Sequence, residues 1–169
     1  MLKQKLFRVK KKLLELRRKI LMSLIHDVGL PLLLNFRPPK PWHYSHDELR
    51  KLPSGTWGRE LADLLDRNNY KLLRNYEHHD AKHVLLGYDM DEVSEVRLQF
   101  FFFGNRRYTF PVLSTVSVGM LLMPEYWIEF FKEYKKGRSI PSINKHDLAN
   151  MVHLPLLEVR EKLQITLLK

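Results

Sequence analysis

The chain contains no cysteine among its 169 residues. This absence excludes disulfide scaffolds, thiolate metal sites and cysteine nucleophiles together, and it fits a reducing compartment. Any metal site must therefore use histidine, aspartate or glutamate side chains. Hydrophobic residues make up 44% of the sequence and no low-complexity tract interrupts it. We therefore expect one folded domain that buries a core of its own.

Long apolar runs are also missing. No stretch reaches the roughly 18 apolar residues that indicate a transmembrane helix, and the longest candidates, Leu30–Phe36 and Pro111–Pro124, are short and interrupted. A secretory signal is a poor fit, whereas a mitochondrial targeting segment stays open. The sequence has no glycine-rich phosphate-binding loop, and we see no flavin, haem or iron–sulfur motif.

Acidic residues are almost absent from the start of the chain. Nine Lys/Arg residues and one acid, Glu15, lie between Lys3 and Lys19, so this stretch supplies +8 of the net charge of +10. Because the remaining chain is nearly balanced, the excess charge forms a basic arm and not the basic face of a nucleic-acid-binding protein. No motif that reads bases accompanies it, and we expect no nucleic-acid partner.

The basic arm has the periodicity of one long helix, Leu2–Ile25. Seven apolar residues fall within about 40° either side of one line along it, with cations on the flanks. They are Leu2, Leu6, Val9, Leu13, Leu16, Ile20 and Leu24. This pattern predicts a helix lying in the plane of an anionic membrane surface. The alternative is docking of the stripe on the protein's own core or on a second subunit, which would make a homodimer.

Helical patterns continue along the rest of the chain, and we predict an all-α, single-domain bundle of about seven to eight helices. Residues 1–34 form the basic helix and connector, and residues 35–169 form the helical domain. The segment Asn35–Pro41 is an extended, proline-rich connection. Phe110–Val118 is β-branched, but a lone strand would have no partner, so a helix is favoured there.

The predicted helix boundaries rest on capping residues and glycines. Ser45 and Thr56 are predicted N-caps. The other predicted elements are Trp57–Arg67, Tyr70–Leu86 ending at Gly87, a helix opened by a capping box of Asp89 and Glu92 and running through Phe103, Val112–Leu122, Glu125–Lys135 ending at Gly137, Asp147–Val152 and Pro155–Leu163.

Histidines cluster near the middle of the chain. His79 and His83 are four residues apart, so they lie one helical turn apart on one face, and Asp80 is close enough for its head group to converge with theirs. This spacing is typical of zinc-binding helices. If Gly87–Met90 is the turn of a helical hairpin, Glu95 comes opposite His83. Two interpretations stay open on spacing alone: a divalent metal such as Zn²⁺ bound by His79, Asp80, His83 and Glu95, or an ordinary surface or structural histidine pair.

The same residues resemble a family signature. His-Asp-x-x-His, eleven residues and Glu is the motif of the coenzyme Q (ubiquinone) biosynthesis family that stands fourth in the Coq series. Three flanking segments are similar to that family as well: HVLLGY at residues 83–88, TWGRE at residues 56–60 and LPLLEVREKL at residues 154–163. The resemblance covers roughly Pro53 to Ile165. It departs at Ser94, where the family usually has glycine, and at Ala81 and Lys82.

The resemblance implies a function. The family is implicated in C1 (oxidative) decarboxylation of a polyprenylated hydroxybenzoate, within a membrane-associated complex of quinone biosynthesis proteins. In such a reaction, Asp80 or Glu95 could transfer a proton instead of binding the metal. The alternative is a non-catalytic scaffold that binds prenyl lipids. The implied location is the cytoplasmic face of a bacterial inner membrane or the matrix side of the mitochondrial inner membrane.

The resemblance also implies an apolar pocket for the prenylated ring beside the metal. The phenylalanines at residues 100–103 follow Glu95 on the same predicted helix. Core packing accounts for most of them, but one helix face cannot hold four aromatic rings. We therefore expect some of these rings to face a lipid, a partner or a second subunit.

Overall fold

The computed structural model describes residues 42–166 and, within the basic arm, Lys12, Glu15, Leu16, Arg17, Lys19, Ile20 and Ser23. Seven α-helices and three 3₁₀ turns occur in 42–166, and no β-strand is present there. The helices are α1 His46–Arg50, α2 Trp57–Arg67, α3 Glu77–Leu86, α4 Glu92–Gly104, α5 Phe110–Leu122, α6 Trp127–Ser139 and α7 Leu156–Lys162. The 3₁₀ turns are Pro124–Tyr126, Ile143–Lys145 and Leu148–Met151. The predicted all-α, single-domain bundle is confirmed.

The first two helices begin at the predicted caps. Ser45 and Glu48 form a reciprocal capping box, in which the Ser45 N–H donates to Glu48 Oε2 at 2.6 Å. The Thr56 hydroxyl oxygen accepts from the Arg59 N–H at the start of α2. Each cap satisfies N–H groups that a helix start leaves without backbone partners.

The predicted helix Tyr70–Leu86 is wrong in its first part, because α3 begins only at Glu77. Asn69 and Asn75 have φ angles of 56° and 68°, in the left-handed region that asparagine tolerates better than most residues. These two residues stop the chain from continuing as a helix between α2 and α3. Helix α3 ends as predicted at Gly87, whose φ of 71° is the usual left-handed C-cap conformation.

The predicted capping box of Asp89 and Glu92 is also wrong. Helix α4 begins at Glu92, so its N-cap is Asp91, whose Oδ1 accepts from the N–H groups of Val93 and Ser94 at 2.9 and 3.0 Å. The Asp89 carboxylate accepts instead from Met90 N–H at 2.9 Å. Asp89 therefore belongs to the turn before α4, where its backbone carbonyl is available to α3.

Helix α4 lies at the centre of the domain and packs against α6 and α5. Phe100, Phe101 and Phe102 are all at least 97% buried within the chain itself. Core packing, which was expected for most of the four rings, is therefore confirmed for these three. Phe103 is half-buried and packs against Tyr108 and Tyr134. Neighbouring helices cover several faces of α4, which one-sided amphipathicity does not anticipate.

Two glycines permit the close crossing of α4 and α6. A Cβ atom on Gly104 would lie 2.0 Å from the Tyr134 carbonyl oxygen, and one on Gly137 would lie 2.0 Å from the Phe101 carbonyl oxygen. Gly137 was predicted to end its helix, but α6 continues to Ser139. The physical role of Gly137 is close backbone approach, which an isolated helix pattern does not reveal.

The remaining elements follow the prediction more closely. Phe110–Leu122 is a helix and not a strand, and α7 begins after Pro155. Asp147–Val152 is shorter than predicted and forms the 3₁₀ turn Leu148–Met151. None of the helices formed by the described residues is long and apolar enough to cross a membrane.

The described residues of the basic arm are helical. Arg17 pairs with Glu125 and donates from Nη1 to the Leu122 carbonyl oxygen at 3.3 Å, so the arm meets the C-terminal end of α5. Most of the predicted helix Leu2–Ile25, the connector Asn35–Pro41 and the boundary between residues 34 and 35 lie outside the described residues. Those expectations stay predictions.

Candidate metal centre

Three of the four predicted ligands converge. His79 and His83 lie one turn apart on α3, and Glu95 projects towards them from the first turn of α4. Each oxygen of Glu95 faces one imidazole, with His79 Nε2–Oε1 and His83 Nε2–Oε2 distances of 3.1 Å. The candidate ligand atoms of the three residues all lie within 4.8 Å of one another. The hairpin geometry predicted from sequence is thus realised at the level of these side chains.

Two further contacts orient these ligands. The Asp89 carbonyl oxygen lies 2.8 Å from His83 Nδ1, and Gln99, one turn beyond Glu95, donates from Nε2 to Glu95 Oε1 at 2.7 Å. A backbone carbonyl can only accept a hydrogen bond, so Nδ1 of His83 carries the proton. Metal-binding histidines are commonly fixed in this way by the nitrogen that does not face the ion.

The contact between His83 and Glu95 brings two hydrogen-bond acceptors together unless a cation lies between them. With its proton on Nδ1, a neutral His83 directs the lone pair of Nε2 at the acceptor Oε2 of Glu95. Two acceptors at 3.1 Å are unfavourable unless a second proton or a metal ion separates them. Two ligand atoms that each lie about 2.0–2.2 Å from one metal ion are roughly 3 Å apart when the angle at the ion is near 100°. The two nitrogen–oxygen separations therefore fit a divalent metal.

Asp80 lies outside the converging trio. Its Oδ1 is 3.5 Å from Nδ1 of His79, on the opposite side of the imidazole from Glu95. The His79 Nδ1 atom is buried and has no hydrogen-bond partner at this distance. Tyr76 stacks on the same imidazole, with ring centroids 4.3 Å apart. The position of Asp80 suits a carboxylate that acts through His79, and its role as a direct ligand stays a prediction.

The electrostatics of the site are dominated by the trio and its burial. Burial lowers the pKa of His79, but the nearby carboxylates of Glu95 and Asp80 outweigh it and raise this pKa to about 9. Burial likewise raises the pKa of Glu95, whereas His79 and His83 bring it well below its usual range. At neutral pH Glu95 is therefore ionised and His79 carries a proton that a metal would displace.

The site is enclosed and still reachable from solvent. The side chains of His79 and Glu95 are 14% and 13% exposed, whereas that of His83 is 3% exposed. Structural zinc sites usually have four protein ligands, and catalytic sites usually have three with one open position. The partly accessible group of His79, His83 and Glu95 is similar to the pattern with three protein ligands.

A second polar cluster behind α4 was not found from the sequence. The buried Glu133 of α6 accepts from the Tyr88 hydroxyl and pairs with Arg97 at 2.6 Å. The Arg97 guanidinium also lies 5.0 Å from the centre of the Tyr88 ring. Burial and the charge of Glu133 raise the pKa of the Tyr88 phenol. This cluster fixes the chain just before Asp89, and only the register between α4 and α6 brings its members together.

A cavity of about 470 Å³ lies beside the same turn. Its lining includes Glu60, Tyr88, Asp89 and Arg160, so its wall is largely charged and polar. Arg160 donates from Nε and Nη2 to the carbonyl oxygens of Leu85 and Val84 at 2.9 and 2.8 Å and closes the end of α3. This polar cavity is not the apolar pocket that the family resemblance implies beside Glu95, and that pocket stays a prediction.

Comparison with known proteins supports the fold. No protein-family model matches the chain, and no curated protein sequence matches it significantly. A crystal structure from Nostoc punctiforme, of a protein provisionally named a ubiquinone biosynthesis protein, matches with a TM-score of 0.59 and 24% sequence identity. The match covers 92% of this chain and 82% of that chain. The two proteins share a fold.

Proposed function

We propose that this chain is a metal-dependent protein of ubiquinone or another polyprenyl quinone biosynthesis. We further propose that it belongs to the coenzyme Q family whose signature it resembles and acts in C1 (oxidative) decarboxylation of a polyprenylated hydroxybenzoate. The observation that carries the proposal is the convergence of His79, His83 and Glu95 within 4.8 Å. His79 and Glu95 stand at the two ends of the motif that resembles the family signature, and their side chains meet in space, as residues of one site must. The fold shared with a protein named for this pathway supports the same conclusion.

His79, His83 and Glu95 would hold the metal, with Zn²⁺ as the ion that best matches two imidazoles and a carboxylate. A divalent cation supplies positive charge that stabilises the carboxylate or phenolate of a bound ring. Asp89 and Gln99 would hold the ligand atoms of His83 and Glu95 towards that ion.

Decarboxylation breaks the bond between C1 and its carboxyl carbon, and proton transfers accompany the change. We assign proton handling to Asp80, or to Glu95 where it does not bind the metal. Glu95 is held ionised between the two imidazoles, and Asp80 lies beside the far nitrogen of His79. The hydroxylation that the family couples to this step requires an oxidant, which we assign to another component of the biosynthetic complex.

The second candidate function is a non-catalytic scaffold that binds prenyl lipids and partner enzymes around a structural metal. A closed shell of four protein ligands including Asp80 would favour it. The grouping of three residues, with Asp80 on the far side of His79, favours the catalytic candidate. Both candidates place the protein at the membrane surface that carries the quinone precursors, as a peripheral protein on the cytoplasmic or matrix face.

Metal analysis tests the site. The full chain is loaded with Zn²⁺, desalted and measured by elemental mass spectrometry, together with the variant His83→Ala. The control variant is His153→Ala, which changes an exposed histidine outside the candidate metal site. We expect about one ion per chain in the unsubstituted protein and in the His153 variant, and less than about one tenth of that in the His83 variant. Substoichiometric metal in the unsubstituted protein after loading would contradict the proposal.

A second experiment tests the substrate class. Lipids are extracted from the purified full chain and identified by mass spectrometry, and the loaded protein is then incubated with a polyprenylated hydroxybenzoate under air. We expect a co-purifying isoprenoid with an aromatic head group, and release of the C1 carboxyl carbon as CO₂ once the partner proteins that supply the oxidant are added. Bound isoprenoid without CO₂ release, in the presence of its partner proteins, would favour the scaffold.

A further inference from the structure

Helix α5 is the most apolar helix among the described residues, yet it buries only Val112 and Gly119. Its outward face carries Phe110, Leu113 and Leu121, which are 71%, 41% and 79% exposed. At about 100° per residue these three side chains fall within an arc of roughly 80°. An apolar stripe, interrupted by the exposed Ser117, thus runs along the solvent side of α5, opposite the contact that Gly119 makes with Val96 of α4.

The start of α6 continues this apolar surface. Trp127, Ile128 and Phe131 are 42%, 74% and 50% exposed, and they occupy an arc of about 100° on the helix. The buried side of α6 is the one that carries Phe130 and Gly137. The indole N–H of Trp127 donates to the Met120 carbonyl oxygen at 2.9 Å, which ties the two helices together at this point. We call the six exposed residues of α5 and α6 the apolar face.

The charge around the apolar face is predominantly positive. Farther along α6, Lys135 and Arg138 lie within the same arc, Lys132 lies about 40° beyond it, and all three are exposed. The acidic Glu129 points about 100° away from Ile128, outside the arc. The other nearby acid, Glu125, is paired with Arg17.

The basic arm meets this surface at its edge. Arg17 contacts Glu125 and the Leu122 carbonyl oxygen, directly between the two helices that carry the face. On the arm itself, Leu16 and Ile20 are 56% and 43% exposed, and Lys12 and Lys19 are exposed as well. The arm and the apolar face therefore present the same combination of large apolar side chains and cations.

We propose that the apolar face, together with Lys132, Lys135 and Arg138, binds the surface of a lipid bilayer with anionic head groups. Exposed apolar groups enter the boundary of the acyl chains, a tryptophan lies at head-group level, and lysines and arginines attract anionic lipids. The inference does not depend on the metal chemistry. It also differs from the predicted role of the arm, because it assigns membrane contact to the folded domain itself.

A second copy of the chain is the competing occupant. Symmetric pairing of the face would place Lys132, Lys135 and Arg138 of each copy against either the cations or the apolar residues of the other, and neither environment offsets their charge. An anionic bilayer satisfies the apolar groups and the cations simultaneously. Charge complementarity therefore favours the bilayer.

Vesicle sedimentation tests the proposal with the full chain, so that the arm is present throughout. Vesicles of phosphatidylcholine alone are compared with vesicles containing phosphatidylglycerol. The double variant Leu121→Gln/Ile128→Gln is compared with Leu157→Gln, which changes an equally exposed leucine (69%) on α7. We expect the double variant to lose at least about tenfold in affinity for the anionic vesicles, and the Leu157 control to bind as the unsubstituted protein does.

A charge pair completes the test. Lys132→Gln/Lys135→Gln is expected to weaken binding to anionic vesicles by about tenfold at low salt, whereas Lys71→Gln, an exposed lysine before α3, has little effect. Unchanged binding of both double variants would overturn the proposal and leave the arm as the membrane contact. A dimer that the Leu121/Ile128 variant converts to monomers, with vesicle binding intact, would also overturn it. Circular dichroism and metal content of each variant separate loss of binding from loss of the fold.

Discussion

Raising the pH from 7 to 8.5 is expected to strengthen metal binding by His79, His83 and Glu95. Burial lowers the pKa of His79, but the charges of Glu95 and Asp80 outweigh it and hold this pKa at about 9 in the metal-free protein. A histidine must be neutral to bind a metal, so the ion has to displace the His79 proton at neutral pH. Glu95 needs no deprotonation, because the pKa of its carboxyl is well below the usual range.

The magnitude follows from the fraction of His79 that is neutral. With a pKa of about 9, that fraction is about one in a hundred at pH 7 and about one in ten at pH 8. The apparent metal affinity at pH 7 is therefore about 100-fold, or ~2.7 kcal/mol, below that of the deprotonated site. It should rise about tenfold per pH unit and level off above pH 9.

Competition with a chromophoric chelator of known proton affinity, at four pH values from 7 to 8.5, measures this slope. Calorimetry in two buffers of different ionisation enthalpy counts the released protons, and we expect about one from His79 per ion bound at pH 7. The His79→Gln variant provides the control, since it binds more weakly and loses the proton release of this residue. An affinity that does not change with pH across this window, with no proton released, would refute the reasoning.

Three further outcomes are expected. Gln99→Leu removes the N–H that orients Glu95 and should lower metal affinity about 10–100-fold in the same competition assay; equal affinity would show that Gln99 is only a packing residue. Gly137→Ala places a Cβ about 2.0 Å from the Phe101 carbonyl oxygen and should destabilise the fold by about 3 kcal/mol, measured by urea unfolding, and an unchanged midpoint would contradict the close crossing. The metal-free protein should melt at a higher temperature than His79→Gln below pH 6.5 and lose that advantage as pH rises to about 9, because a raised histidine pKa stabilises the fold only while the folded state retains the extra proton. A constant difference in melting temperature from pH 6 to 9.5 would exclude this coupling of His79 to stability. On the acid side, the stabilisation by Glu95, whose pKa is lowered, is lost as pH falls below its usual value of 4.5.

Local signals in the sequence placed most helices correctly. Ser45 and Thr56 cap α1 and α2 as predicted, and Gly87 ends α3, because these features depend on neighbouring backbone groups alone. One error arose where two local signals competed. Asp89 and Asp91 both precede α4, and the sequence does not show which of them the backbone uses as a cap.

Other features depended on packing between helices. Gly137 is a helix terminator when its sequence is considered alone, but the Phe101 carbonyl requires a residue without a side chain inside α6. Core packing was expected for most of the phenylalanines of α4, but the sequence did not show which of them are buried; the structure buries three because both α5 and α6 pack on that helix. The periodicity of apolar residues predicts one buried face, and it does not identify a helix that other helices cover on several sides.

The sequence by itself determined the chemistry of the candidate site. Without cysteine, the donor groups had to be imidazoles and carboxylates, and the i, i+4 spacing of His79 and His83 aligned them on one helix. Only the tertiary structure decided which carboxylate joins them. Glu95 reaches both imidazoles from the first turn of α4, whereas Asp80, the nearer residue in sequence, lies on the other nitrogen of His79. The direction of a side chain on its own helix follows from local geometry, but the group that meets it across a turn depends on how the two helices pack.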